Sequence, residues 1–184
     1  MKLVIGLSGR IGGGKGTIGD YLMREYGAEG RRFSDILRDL LVRLHIPVER
    51  RALQNMGATL RMQFGDDVLV QTLRKDLETA EADIVMVDGV RYPNEVEMLR
   101  GFDNSILFFV DAPPKIRFER VKKRAEKGED KIDFAEFLRA EERETERHLD
   151  EVKAMTDYQL DNSKSFEDLY KQIDKALKEH GIVG

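Results

Sequence analysis

The sequence contains no cysteine, only three histidines and four prolines, and no apolar stretch long enough to cross a bilayer. Without cysteine there are no disulfides and no thiol chemistry, as suits a cytoplasmic protein. His45, His148 and His180 are far apart and lack the spacing of metal ligands, so they read as surface or helix-end residues. The opening segment MKLVIGLSG holds an apolar run of only about six residues, shorter than a signal-peptide core. It passes directly into glycines and reads as a strand. A net charge of -4 argues against general nucleic-acid binding. There is no internal repeat and no low-complexity linker. A chain of 184 residues suffices for one α/β domain with a real core and is too short for two.

Apolar spacing gives the order of elements. Lys2 to Leu7 predicts a buried strand, and Ile18, Tyr21, Leu22 and Tyr26 predict a helix from Thr17 that Gly27 stops. Arg32 and Phe33 end a second short strand. Ser34 is a good N-cap for a helix whose face is Ile36, Leu37, Leu40, Leu41 and Leu44. A further helical stretch spans about 49–79, with interruptions expected near Gly57 and Gly65. Ile84–Val87 ending in Asp88, and Ser105–Val110 ending in Asp111, read as buried parallel strands. Helices are expected over Pro93–Arg100, from Pro113 and Pro114 to about Lys127, from Phe134 to about Met155, and over Phe166–Glu179. Tyr158–Leu160 supplies a last strand. Strands alternating with helices imply a parallel sheet covered on both faces.

Between the first strand and the first helix lie Gly9, Arg10, Ile11, Gly12, Gly13, Gly14, Lys15, Gly16 and Thr17. A triphosphate crowds several negative charges together. Backbone N–H groups can meet them if the chain turns sharply, and glycine permits the turn and the close approach. The following helix adds the positive end of its dipole, and Lys15 a full charge that can follow the β- and γ-phosphates. A glycine-rich surface turn is the plain alternative, but the strand and helix flanks are the context this loop requires. The hydroxyl here belongs to Thr17, one position later than usual because Gly16 intervenes. Thr17 is therefore expected on phosphate, with Mg²⁺ held by Thr17 and Asp88 largely through water.

Asp88 closes an apolar strand and so falls at the carboxyl edge of the sheet, where a carboxylate faces the metal or its waters. Phosphoryl transfer is mainly positioning and charge neutralisation, which suits arginine. Arg120 with Arg124, and Arg139 with Arg143, are spaced i, i+4 and bracket a polar break around Gly128. They could be arms of a hinged lid over about 125–143, or solvated helix faces beside Glu119, Glu136 and Glu142.

The loop GRIGGGKGT resembles that of the adenylate kinases and related nucleoside monophosphate kinases. FSDILR, with Ser34, Asp35 and Arg38, is similar to the start of that family's acceptor helix. DGVR, Asp88 to Arg91, looks like a one-residue-shorter form of its DGFPR segment, whose arginine grips the acceptor phosphate. Arg120 and Arg124 match the arginine pair before the lid, and RAEE from Arg139 resembles the RxDD motif after it, with Arg143 following. LQNMGATLR and DGVRYPNEVE are closer to phage-type deoxynucleoside monophosphate kinases. TDYQLDNSKSFEDL resembles the ending of dephospho-CoA kinases, a segment expected at the adenine end of the ATP site.

The resemblance implies a three-layer fold with a five-stranded parallel sheet in the order 2-3-1-4-5, and a helical acceptor-binding insertion over about 34–79. It implies ATP on the phosphate loop, Mg²⁺ with it, and an acceptor monophosphate held by Ser34, Asp35, Arg38, Arg61 and Arg91. Lys15, Asp88 and the four lid arginines would act on the transferring group. The partners expected are small-molecule nucleotides, with no nucleic acid and no membrane, for a monomer or homodimer. A dephospho-CoA kinase is the runner-up, with Asp35 as the base its hydroxyl acceptor would need. A regulatory ATPase is a third reading, disfavoured by the arginines that fit a second phosphate.

Overall fold

The computed structural model describes residues 2–125, 133–140 and 148–182. Five strands, β1 (Leu3–Ser8), β2 (Glu29–Arg31), β3 (Ile84–Asp88), β4 (Ser105–Asp111) and β5 (Tyr158–Asp161), form one parallel sheet in the order β2-β3-β1-β4-β5. The helices are α1 (Lys15–Tyr26), α2 (Phe33–Arg43), α3 (Arg50–Phe64), α4 (Val68–Thr79), α5 (Pro93–Arg100), α6 (Pro114–Ala125), α7 (Phe134–Ala140), α8 (Leu149–Ala154) and α9 (Phe166–Glu179).

β1 is central and fully buried because both its faces are apolar. Alternation sends Leu3, Ile5 and Leu7 into a core with Ile18 and Leu22 of α1 and Leu169, Ile173 and Leu177 of α9. Val4, Val85, Val87 and Leu107 face the opposite way, against Leu73 and Leu77 of α4, Val96 and Leu99 of α5 and Val152 of α8. Each such leucine stabilises the fold by about 1.5–3 kcal/mol. The hydroxyls of Tyr21 and Tyr26 both donate to Asp174 Oδ1, at 2.7 and 2.8 Å, and tie α1 to α9. The register sets Leu7 beside Asp88 and Ser8 beside Phe109, so the carboxyl ends of β1, β3 and β4 open on one edge.

Several expectations need correction. The second strand ends at Arg31, and Arg32 is the N-cap of α2. Ser34 therefore lies inside the first turn rather than at the cap. Gly57 does not interrupt α3; it is buried, and an added Cβ would stand 3.2 Å from Leu37 Cδ1, so the missing side chain lets α2 and α3 approach. The break falls only at Gly65, whose φ of 97° a side chain would resist. α1 starts at Lys15, two residues before the apolar spacing shows it. Of the long charged helix from Phe134, α7 and α8 are seen, and 141–147 lies outside the described residues. The expected polar break around Gly128 lies outside them as well. No helix among the described residues is long and apolar enough to cross a membrane.

Candidate active site

The chain leaves β1 at Ser8, whose hydroxyl donates to the Val90 carbonyl at 2.7 Å in the interior. Gly9 and Gly14 then take φ values of 146° and 115°. A Cβ on Gly9 would lie 2.2 Å from the Val110 carbonyl oxygen, and one on Gly14 would lie 2.0 Å from Asn162 Nδ2. Gly14 caps α1 without any side-chain hydrogen bond, and no acidic residue occupies the first turn. The first-turn N–H groups, which no intrahelical carbonyl accepts, are thus presented to an incoming anion. Lys15 Nζ donates to the carbonyls of Gly9 and Arg10, so the charge lies folded over the loop. Thr17 is half-buried in the same turn.

The outer side of the loop is clamped. Arg117, only 3% exposed, donates from Nε to the Ala112 carbonyl at 2.8 Å and from Nη1 to the Ile11 carbonyl at 3.3 Å, and pairs with Asp111. Arg120 donates to the carbonyls of Asn162 at 2.7 Å and Gly12 at 3.4 Å. Asn162, 1% exposed, donates from Nδ2 to the Gly13 carbonyl at 2.8 Å. Three consecutive loop carbonyls are held on this side. Arg120, expected as a lid residue, stands against the loop itself. Arg139 is exposed on α7. The side chain of Arg124, and Arg143 altogether, lie outside the described residues.

At the end of β3, Asp88 accepts from Arg32 Nε at 2.9 Å through Oδ2, while its buried Oδ1 has no hydrogen-bond partner among the described residues. A carboxylate oxygen left without a donor is costly unless a cation or its water fills the place. Among the described residues no three His, Cys, Asp or Glu side chains group as a metal cage. The donors present therefore fit a Mg²⁺ that arrives on nucleotide phosphates and keeps most of its water.

One cleft of about 610 Å³ runs from the loop to α2, α3 and the segment between β3 and α5. It is lined by Gly12, Gly14, Lys15 and Gly16 of the loop, by Asp88, and by Ser34, Arg61 and Arg91. Asp35 and Arg38 do not line it. Asp35 faces a neighbouring cleft with Arg31, Asp39 and Asp76, which meets the first at Arg32, and Arg38 is exposed. The segment carrying Arg91 is fixed in two ways. Gly89 and Val90 N–H groups both donate to the Leu7 carbonyl at 3.0 Å, and Glu95, at the start of α5, accepts from Arg91 N at 2.7 Å and Tyr92 N at 3.3 Å.

Glu95 is 4% exposed. Burial pushes its carboxyl up to about 7, against the opposing pull of the Arg91 and Tyr92 backbone N–H groups and of the Arg61 and Arg91 charges. A carboxyl whose folded value is raised holds a proton that the unfolded chain has lost. Its contribution is present below pH 4.5 and lost as pH rises through 7, a change of about 3 kcal/mol. Glu95→Gln, which keeps an acceptor for both N–H groups, should match the parent near pH 4 and exceed it in stability above pH 7. Urea melts at pH 4 and pH 8 check this, and an equal difference at both would assign the effect to packing.

A family model described as an AAA domain matches residues 5–149. A UPF0200 protein of Saccharolobus islandicus is 31% identical over 94% of this chain and 91% of its own length. The chain belongs to the UPF0200 family of AAA-domain proteins. Another UPF0200 protein, from Methanocaldococcus jannaschii, is 28% identical over 96% of this chain and 90% of its own length. Among solved structures, TT1252 from Thermus thermophilus has a TM-score of 0.59 at 22% identity, covering 100% of this chain and 99% of that one. A shikimate kinase from Aquifex aeolicus has a TM-score of 0.59 at 19% identity, covering 98% and 99%. A gluconokinase from Sinorhizobium meliloti has 0.58 at 14%, covering 96% and 91%. These establish the P-loop kinase fold for this UPF0200 chain. Sequence reasoning singled out neither Arg117 nor Glu95, although both lie in quoted or neighbouring stretches. The TDYQLDN resemblance pointed to the segment holding Asn162 without its contact to Gly13.

Proposed function

We propose that this chain is an ATP-dependent nucleoside or deoxynucleoside monophosphate kinase. The observation that carries the reading is the single cleft joining the phosphate loop to Ser34, Arg61 and Arg91. A nucleotide switch needs only the first half of that cleft; a second set of cations at its far end suits a second phosphate. ATP would place its β- and γ-phosphates on the first turn of α1 and Lys15. The acceptor phosphate would lie between Arg61 and Arg91, with Ser34 in hydrogen-bonding reach of the same end. Mg²⁺, when bound beside Asp88 and Thr17, would offset charge on the phosphates.

In the transfer, an oxygen of the acceptor monophosphate forms a bond to the γ-phosphorus as the bond to the β–γ bridging oxygen breaks, and ADP leaves with that electron pair. The attacking oxygen is already anionic, so no strong base is required. A hydroxyl acceptor such as dephospho-CoA would require one, and Asp35 faces another cleft. ADP release measured with a panel of ribo- and deoxynucleoside monophosphates and dephospho-CoA tests the reading. Turnover with dephospho-CoA alone would replace it, and hydrolysis indifferent to every acceptor would favour a regulatory ATPase.

Arg91→Ala should raise the acceptor KM by about tenfold to a hundredfold, since a charged hydrogen bond to phosphate is worth about 1.5–3 kcal/mol. The KM for ATP should stay nearly constant. An unchanged acceptor KM would remove Arg91 from the acceptor site.

A further inference from the structure

Arg32 lines the cleft and also the neighbouring one that holds Asp35, Asp39 and Asp76. It is the last residue before α2, in extended backbone with φ -139° and ψ 145°, and its carbonyl accepts from Asp35 N at 3.0 Å. It therefore stands where the sheet hands over to the α2–α4 helices. Its guanidinium reaches back across 56 residues of sequence to Asp88, with Nε and Nη2 each 2.9 Å from Oδ2. It also lines the cleft with Ser34, Arg61 and Arg91.

The pair is lopsided. The Arg32 side chain is 57% exposed and that of Asp88 18%. Such a half-solvated ion pair is weak and easily exchanged. Asp88 has one negative charge and a second, buried oxygen without a hydrogen-bond partner among the described residues. A hydrated dication brought to this carboxylate from the cleft that Asp88 lines would sit next to the guanidinium. The dication and the guanidinium would then share one carboxylate, while phosphate oxygens in the cleft offer the guanidinium another anionic partner, so the group that is free to move is the one drawn off Asp88. Arg32 can leave; the carboxylate, on a buried strand, cannot.

We propose that Arg32 and nucleotide-borne Mg²⁺ compete for Asp88, so that binding of the metal–nucleotide releases Arg32 from the sheet edge to the acceptor phosphate. Arg32 is then a binding residue for the second substrate whose availability depends on the first. The acceptor half rests on the monophosphate kinase reading, whereas the competition at Asp88 does not.

Calorimetry with the non-hydrolysable analogue AMPPNP, with and without Mg²⁺, measures the gain in affinity that the metal confers. In Arg32→Ala this gain should grow roughly fivefold, because the metal no longer displaces an ion pair. Arg32→Gln, which keeps a neutral hydrogen bond to Asp88, should behave similarly and serves if the alanine variant folds poorly. Monophosphate binding should weaken about tenfold in the variants when Mg·AMPPNP is present and change little with metal-free AMPPNP. A metal gain equal to the parent's would overturn the competition. Monophosphate affinity that falls equally with and without Mg²⁺ would overturn the release. If no monophosphate binds at all, the kinase reading and the acceptor half fail together, and the metal gain still decides the competition.

Discussion

Lys15→Ala is expected to lower phosphoryl transfer by about a thousandfold or more while the protein remains folded. The side chain lies over the loop, donating to the Gly9 and Arg10 carbonyls. With nucleotide bound, the same ammonium can follow charge onto the transferring group. Removing one fixed donor from such a site costs about a hundred- to a thousandfold by itself, and here a full charge is lost as well. The structural cost is small, because Lys15 is only partly buried and α1 is anchored through Ile18 and Leu22 in the core. Coupled ADP release gives the rate, and circular dichroism melting gives the fold. A variant keeping a tenth of the parental rate would take Lys15 out of the chemistry.

Gly9→Ala tests the loop by shape instead of charge. The added methyl would stand 2.2 Å from the Val110 carbonyl oxygen, which belongs to the backbone of β4 and cannot rotate away. The backbone at φ 146° is also a conformation that alanine resists. The expected result is loss of AMPPNP binding together with destabilisation of about 3 kcal/mol or more. Gly16→Ala provides the contrast. A Cβ there meets nothing within 4 Å among the described residues, so folding stability should be unchanged or raised by up to about 1 kcal/mol. Urea unfolding separates the two. Equal stability of both variants would mean that β4 yields to Gly9 more readily than its hydrogen bonds imply.

The strands and the phosphate loop were legible because their signals are local. Ile84–Asp88 and Pro93–Arg100 follow directly from apolar spacing and from proline at a helix start. The first turn of α1 was not, because Lys15 and Gly16 carry no apolar residue to mark it. Gly57 misled for the opposite reason. A glycine signals a break when only propensity is known, and the contact with Leu37 that keeps it helical is tertiary. In the site, the family resemblance pointed to Arg61 and Arg91, and both line the cleft that holds the phosphate loop. The placing of Arg38 and Asp35 depends on the helical phase of α2 against the cleft, which spacing does not fix. Arg120 shows the same limit: an i, i+4 pair reveals which residues share a helix face, not that one of them meets the carbonyls of residues 12 and 162.

The clamp on the loop carbonyls also bears on how the protein is made. Residues 9–17 emerge from the ribosome well before two of the groups that hold them, Arg117 and Asn162, which lie 106 and 149 residues further along from Ile11 and Gly13. Gly13 cannot be fixed until residue 162 has been synthesised and β5 has paired with β4. A nascent chain therefore carries its nucleotide-binding sequence without a finished cradle while the 149 residues from Gly13 to Asn162 are added, and affinity for the phosphates is acquired only once β5 has docked.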